Sequence, residues 1–393
     1  MHDLTRCVQH PAVSHDGFKS LAVPTYRAST IVYDDPQDFA RRAGRGLDGY
    51  TYGLHGTPTT RTLEAQITAL HAGERTVLVP SGQAAVAITM LAVLKPGDTV
   101  LIPDHVYPPV RHLCTNYLAS RGIAHRVYDP LIGAGIADLI DANTKLVWME
   151  SPGSGTMEVQ DVPAIAQAAK VRGVLTGCDN TWASPLLFKP LAHGVDFAVE
   201  ALTKYVGGHS DLLLGSITVK ELGLRKALKD VLGVLGIGVS PDEAALALRG
   251  IETMGVRMAH SGRVARDFAE RLQAAPAVAR VLHPALPSCP GHEIFARDFK
   301  AASTVFSLVI KPEFAPRIYP ALGQLRLFAI GASWGGTHSL IAPMDVVADR
   351  TVRPWNPAEG LVRLSIGLEE PGELWEDLSR FLDALEGATS VSG

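Results

Sequence analysis

The chain has only four cysteines in 393 residues: Cys7, Cys114, Cys178 and Cys289. No two of them form a C-x-x-C pair. A disulfide framework and a structural zinc site are therefore not expected, and a reducing compartment is. Charged residues make up 19%, the formal net charge is −4 and no long basic run occurs, which argues against a nucleic-acid partner. Long hydrophobic runs are also missing. The most apolar stretch, VLVPSGQAAVAITMLAVL, is broken by Pro80, Ser81, Gly82 and Gln83. It reads as strand, turn and helix, not as a membrane span. The opening residues, MHDLTRCVQHPAV, carry charge and no apolar core, so no secretory signal is expected there. Fourteen histidines are scattered without H-E-x-x-H spacing, and no metal site is expected. These absences together predict a cytoplasmic protein.

Apolar content is what the chain does have. A hydrophobic fraction of 47% over this length suffices for two or three packed units and excludes a disordered chain. Residues 1–60, with Pro11, Pro24, Pro36 and Pro58 and little periodicity, read as an extended arm. Its VPTYRASTIVY and YTY segments are aromatic and apolar enough to need cover, which a neighbouring subunit would provide. From Thr62 to residue 245, helix and strand patterns alternate: TLEAQITALHA, TVLVP, GQAAVAITMLAVL, TVLIP and onward through DFAVEALTK and DLLLGSITV. That rhythm predicts an α/β unit over 61–245, with a mainly parallel sheet and helices on both faces. Residues 246–393 follow a different pattern. A long helical stretch leads into STVFSLVIK, LRLFAIGAS and LVRLSIGL as strands and ELWEDLSRFLDALEGA as a terminal amphipathic helix. This predicts a smaller α+β C-terminal domain.

Ligands of open α/β sheets collect at the carboxyl ends of the strands. Three polar groups stand at such ends here. Ser81-Gly82-Gln83 follows TVLVP and opens a helix, Asp179 ends VLTGCDN, and Thr203-Lys204 follows DFAVEAL. A helix start suits a phosphate. A carboxylate suits a pyridine nitrogen that must stay protonated, and a lysine suits an imine to an aldehyde. Singly these are a cap, a turn and a surface lysine. Together, at successive strand ends, they outline a site for pyridoxal 5'-phosphate (PLP), with the bland readings still open.

The same residues lie within longer motifs. The stretches VPSGQAAV, DPLIGAGI, ESPGSGTMEVQDVPAI, DNTWASPLLFKPLAHGVD, TKYVGGHSD, HPALPS and SWGGTHSLI occur in order between Tyr50-Thr51-Tyr52-Gly53 and Val362-Arg363-Leu364-Ser365-Ile366-Gly367. In this run the chain resembles the Cys/Met-metabolism (transsulfuration) family of PLP enzymes. The resemblance implies PLP fold type I, the aspartate-aminotransferase-like architecture. Within it, Lys204 would form the Schiff base and Asp179 would pair with the pyridinium nitrogen. Gly82 and Gln83 would bind phosphate through backbone N–H, and Thr203 through its hydroxyl. Tyr107 would stack on the ring near the reacting carbon, and Tyr52 would reach the phosphate of a neighbouring subunit, in a homotetramer built from dimers with shared sites. Arg363, helped by Ser333, would clamp the substrate α-carboxylate. Arg363 also stands out without the resemblance, because it shares the strand LVRLSIGL with apolar neighbours and its fork suits a carboxylate.

Two positions depart from the family pattern. Many members place arginine two residues after the position of Tyr52, where this chain has Leu54 followed by His55. Many also place serine three residues before the lysine, where this chain has Ala201. Either another cation then serves the phosphate or PLP is held less tightly.

Trp334, with Ala332 before it, resembles the β-eliminating branch. That branch splits cystathionine and water into homocysteine, pyruvate and ammonia in methionine biosynthesis. Lys204, once free, would take the Cα proton. The alternatives are γ-acting relatives (methionine γ-lyase, cystathionine γ-lyase or synthase, a sulfhydrylase). More remote are a serine hydrolase, suggested by Gly208-His209-Ser210-Asp211-Leu212, which is one residue short of G-x-S-x-G, and a non-catalytic binding protein.

Overall fold

The structure, a computed structural model, describes residues 5–6 and 13–387. Cys7 and the first stretch of the arm lie outside the described residues, while Cys114, Cys178 and Cys289 are buried free thiols. Over most of the arm, residues 13–60, the chain is irregular and largely exposed.

Helix starts follow local chemistry. The Thr57 N–H is held by the Thr60 hydroxyl at 2.8 Å, and Pro58 opens α1 (Pro58–His71) where no N–H is required. Ser81 accepts the Ala84 N–H and starts α2 (Gly82–Val93). Pro108 and Pro109 open α3 (Pro108–His112) just after Tyr107. Asp161 caps α4 (Val162–Val171). Then come α5 (Leu222–Leu235) and the 32-residue α6 (Pro241–Leu272), capped by Ser240.

The first sheet has seven strands: β1 (Arg75–Val79), β2 (Thr99–Pro103), β3 (Ala124–Tyr128), β4 (Thr144–Glu150), β5 (Leu175–Asp179), β6 (Phe197–Glu200) and β7 (Gly215–Val219), in the order β1-β7-β6-β5-β4-β2-β3. Only β7 runs against its neighbours, so the expectation of a mainly parallel sheet holds. In β4, Val147 and Met149 enter one apolar cluster while Leu146 and Trp148 enter another. Alternate side chains point to opposite faces, and both faces are covered, as parallel sheets require.

The second sheet contains β8 (Val278–Leu282), β9 (Val305–Ile310), the two-residue β10 (Ala329–Ile330), β11 (Leu340–Met344) and β12 (Gly360–Ser365), in the order β10-β11-β12-β9-β8. It packs on the C-terminal half of α6 and on α7 (Pro371–Glu386), whose Leu374, Leu378, Phe381 and Leu385 recur at helical spacing inside its core. Helix α6 serves both cores. Its Met254 and Met258 belong to the first and its Phe268 and Leu272 to the second. The boundary expected at 245/246 therefore falls inside a continuous helix.

Two expected strands are shorter than the sequence pattern suggests. In LRLFAIGAS only Ala329–Ile330 pairs. The N–H groups of Arg326, Leu327 and Phe328 are taken instead by the buried Asp377 carboxylate at 2.8–3.0 Å, which removes the donors a ladder would need. In DLLLGSITV the strand begins at Gly215, because the Leu214 backbone is bonded to the Thr203 hydroxyl and the Leu213 N–H to Glu243.

Candidate active site

The carboxyl ends of β1, β2, β4, β5 and β6 converge on a cavity of about 230 Å³. Gly82, Gln83, Tyr107, Asp179, Thr203 and Lys204 line it from the first sheet, and Trp334 and Arg363 from the C-terminal segments. Of the ten residues singled out from the sequence, Tyr52 and Ser333 are not on that wall. Ser333 reaches the site through Lys204, whose Nζ donates to its Oγ at 2.8 Å. Tyr52 sits on the arm, 48% exposed.

Lys204 stands between the two sheets. Its Nζ lies 5.2 Å from the centre of the Trp334 ring, and Trp334 in turn packs on Tyr205 with centroids 5.4 Å apart. Burial, with help from the Arg363 charge and against the pull of Asp179, lowers the Lys204 ammonium to about 8. Arg363 is itself buried, and burial pulls its pKa down from the usual range. It donates to the Ala332 carbonyl at 2.7 Å. No carboxylate pairs with it among the described residues.

Asp179 ends β5 and accepts the Thr181 N–H and hydroxyl at 2.9 and 2.5 Å. Burial raises its pKa against these bonds, and Glu200 adds to the rise. One end of the cavity is formed by Ser81, Gly82 and Gln83 at the start of α2. Its first N–H groups have no acceptor within the helix. Space there is tight, since a Cβ built on Gly82 would lie 2.5 Å from the Ala201 Cβ. The Thr203 hydroxyl is engaged with the Leu214 carbonyl and N–H at 3.1 and 3.0 Å. Tyr107 is 43% exposed. Its phenol pKa is raised by burial and by Glu150.

Sequence reasoning missed Glu150 and Thr181. The signal was available: Glu150 ends LVWMES just as Asp179 ends VLTGCDN, and the two are register partners on adjacent parallel strands. Thr181 had none beyond being two residues after Asp179. The Leu54 side chain packs towards Gly238. The nearby Arg61 is committed to Glu64 and to the Leu47 and His55 carbonyls. The near-G-x-S-x-G stretch does not assemble as a hydrolase site: among the described residues no imidazole accepts from the Ser210 hydroxyl, and His209 Nδ1 is turned to the Gly207 carbonyl at 2.8 Å.

These residues fit PLP. An amine of lowered basicity, a buried carboxyl, free helix-start N–H groups beside a glycine, and an unpaired arginine are the donor set its aldehyde, pyridine nitrogen, phosphate and amino-acid partner require. The comparisons agree. A Rhizobium johnstonii protein provisionally named a cystathionine beta-lyase is 45% identical, with 91% of this chain and 90% of that protein covered. The L-alanine/L-glutamate racemase of Wolbachia pipientis is 36% identical, with 95% of each covered. The crystal structure of cystathionine gamma synthase from Xanthomonas oryzae superposes with a TM-score of 0.85 at 31% identity, covering 95% of this chain and 96% of that one. The model of the Cys/Met metabolism PLP-dependent enzyme family matches residues 4–383. With Lys204, Asp179 and the α2 start gathered in one cavity and that match spanning both sheets, the chain belongs to the Cys/Met metabolism PLP-dependent enzyme family.

Proposed function

We propose that this chain is a carbon–sulfur β-lyase acting on cystathionine, releasing homocysteine, pyruvate and ammonia. The observation that carries the reading is a linkage between base and receptor. Arg363 is bonded to the Ala332 carbonyl and Lys204 to the adjacent Ser333 hydroxyl. A carboxylate received by Arg363 and a proton taken by Lys204 would thus be served by two consecutive residues. Bound PLP supplies the electron sink for negative charge at Cα. Lys204 would anchor it, Asp179 would serve its pyridine nitrogen, and Gly82, Gln83 and Thr203 would hold its phosphate. Arg363 and Ser333 would orient the substrate carboxylate, and Lys204 Nζ, with basicity lowered to about 8, would move the Cα proton. Tyr107 would cover the ring. Trp334, packed on Tyr205, closes the wall beside Lys204, and Ala332, being an alanine, brings no charge there.

We place the enzyme in the cytoplasm as a homotetramer built from two dimers. Among the described residues no helix is long and apolar enough to cross a membrane. Phe18, Leu21 and Val32 of the arm are 75%, 105% and 86% exposed. That supports a role for residues 1–60 as an arm on a neighbouring subunit, which would carry Tyr52 to that subunit's phosphate. Residues 61–245 and 246–393 act as cofactor and C-terminal domains bridged by α6.

The test is product analysis with purified holoenzyme. Pyruvate from cystathionine supports the reading. 2-Oxobutanoate, or inversion of alanine or glutamate without pyruvate from cystathionine, would replace it with γ-elimination or racemisation.

A further inference from the structure

Glu150 is, besides Asp179, the one carboxyl on the cavity wall among the described residues. It has no ion-pair partner, yet every polar group it owns is engaged. Its N–H donates to Gln160 Oε1 at 2.8 Å. Its carbonyl accepts from His105 Nε2 at 2.8 Å. Its carboxylate Oε2 accepts the Tyr107 N–H, and Oε1 accepts the Ser154 N–H, both at 2.7 Å. Those two N–H groups come from different walls. Tyr107 belongs to the turn between β2 and α3, and Ser154 to the loop after β4. That loop contains two left-handed residues, Gly155 at φ +82° and the non-glycine Met157 at φ +60°, and besides its internal Gly153–Glu158 and Met157–Gly153 backbone bonds the Ser154 N–H is tied to Glu150.

We propose that Glu150 is a positioning residue whose carboxylate ties the Tyr107 turn and the Ser154 loop to the end of the sheet, and so fixes where Tyr107 stands against bound PLP. The inference depends on PLP binding in this cavity and not on which bond the enzyme breaks. Only a carboxylate does this work. Two N–H donors converge on its two oxygens, whereas an amide offers one acceptor and turns N–H towards the other donor. Burial and the neighbouring Asp179 push Glu150 up to about 8 against the two N–H bonds and the Arg363 charge, so the charged form that serves both donors prevails above that pH, and the variants are compared there. Tyr107, Asp179 and Arg363 face its carboxyl, and His105, Tyr128 and Cys178 are the further titratable groups beside it.

The test compares wild type with Glu150→Gln and Glu150→Asp. Amide hydrogen exchange is followed in both cofactor-free and loaded protein, together with the visible circular dichroism of bound PLP. In Glu150→Gln, exchange of the segments containing Tyr107 and Ser154 should speed by about tenfold or more, as expected for loss of a bond to a charged acceptor. Exchange of β5 and α4 should stay unchanged, and the PLP dichroism should weaken. In Glu150→Asp the shorter carboxylate should release at least one of the two segments. Adding Glu150→Gln to a Tyr107→Ala background should leave the dichroism where Tyr107→Ala alone puts it. Unchanged exchange at both segments, or a rise shared equally by β5 and α4, would overturn the proposal. So would a full dichroism change in the Tyr107→Ala background. If Glu150→Gln does not fold, Glu150→Asp and the exchange data decide. These readings do not involve the product, so they stand or fall separately from the β-lyase assignment.

Discussion

Gly82 and Ala201 approach so closely that a Cβ on Gly82 would lie 2.5 Å from the Ala201 Cβ. The start of α2 is thereby pressed onto the turn that carries Thr203 and Lys204. Gly82→Ala must push one of the two segments back and displace the N–H groups offered to phosphate. The expected outcome is a rise in the PLP dissociation constant of about tenfold or more, as for loss of a charge-assisted bond. Fluorescence titration of the cofactor-free protein measures it. Gly82→Ala/Ala201→Gly should recover most of the loss. Wild-type affinity in the single variant would show that this contact does not shape the phosphate cradle.

Leu54 leaves an arm position apolar where many relatives carry arginine, and Arg61 close by is already bound to Glu64. If the arm reaches a neighbour's phosphate, Leu54→Arg adds the missing cation. PLP release, followed by dilution into a trapping amine, should slow by about tenfold. Unchanged release would mean that residue 54 does not face a phosphate.

The fold was legible where the sequence alternates cleanly. β4, β5 and the helices between strands carry their period openly, because both sheet faces are covered. The cavity wall was legible at Gly82, Asp179 and Lys204 because each stands at or within a few residues of the carboxyl end of a strand. Glu150 obeys the same rule but was passed over, since a Glu-Ser-Pro after a strand reads as a turn. The truncated strand at Ala329–Ile330 could not be foreseen. Its donors go to Asp377, some fifty residues away, and such a tertiary acceptor leaves no local mark. The long helix was legible as one stretch, but the place where it passes from one core to the other, between Met258 and Val264, was not, because the change alters what the helix packs on and not its period.

Lys204 sets a pH dependence. Its amine is lowered from 10.5 to about 8, by burial first and by Arg363 second. The rate at which cofactor-free protein forms its borohydride-reducible link to PLP should rise with pH, bend near 8 and flatten above it. An ordinary lysine would still be accelerating there. The sign for stability follows from proton counts. Between about 8 and 10.5 the unfolded chain holds the proton and the folded chain does not, so the Lys204 contribution grows more favourable as pH rises through that window. Lys204→Met should abolish the link and flatten that part of the stability profile, measured by urea unfolding of the cofactor-free forms.

Arg350 carries the last prediction. It is buried, and its guanidinium pairs with Glu158 at 2.6 Å and Asp104 at 3.1 Å while donating to Thr156 at 2.7 Å. Asp104 also accepts the N–H groups of Thr351, Val352 and Arg353, so one cluster clamps the segment after β11 onto the turn leading to Tyr107. Burial works against the Glu158 charge, but His105 and Arg350 outweigh it and hold the carboxyl well below its usual range. Removing one member leaves the others buried and uncompensated. Arg350→Met should therefore lower unfolding free energy at neutral pH by about 3–5 kcal/mol. Because the folded pKa of Glu158 is depressed, its contribution is present above the ordinary carboxylate range and is lost as pH falls. Without Arg350, Glu158 accepts a proton sooner and sheds its buried charge. The gap between variant and wild type should accordingly narrow as urea titrations move from neutral to acidic pH. A gap that stays constant or widens would mean that the loss does not lie in the charges of Glu158 and Asp104, whose carboxyls are both held below their usual range.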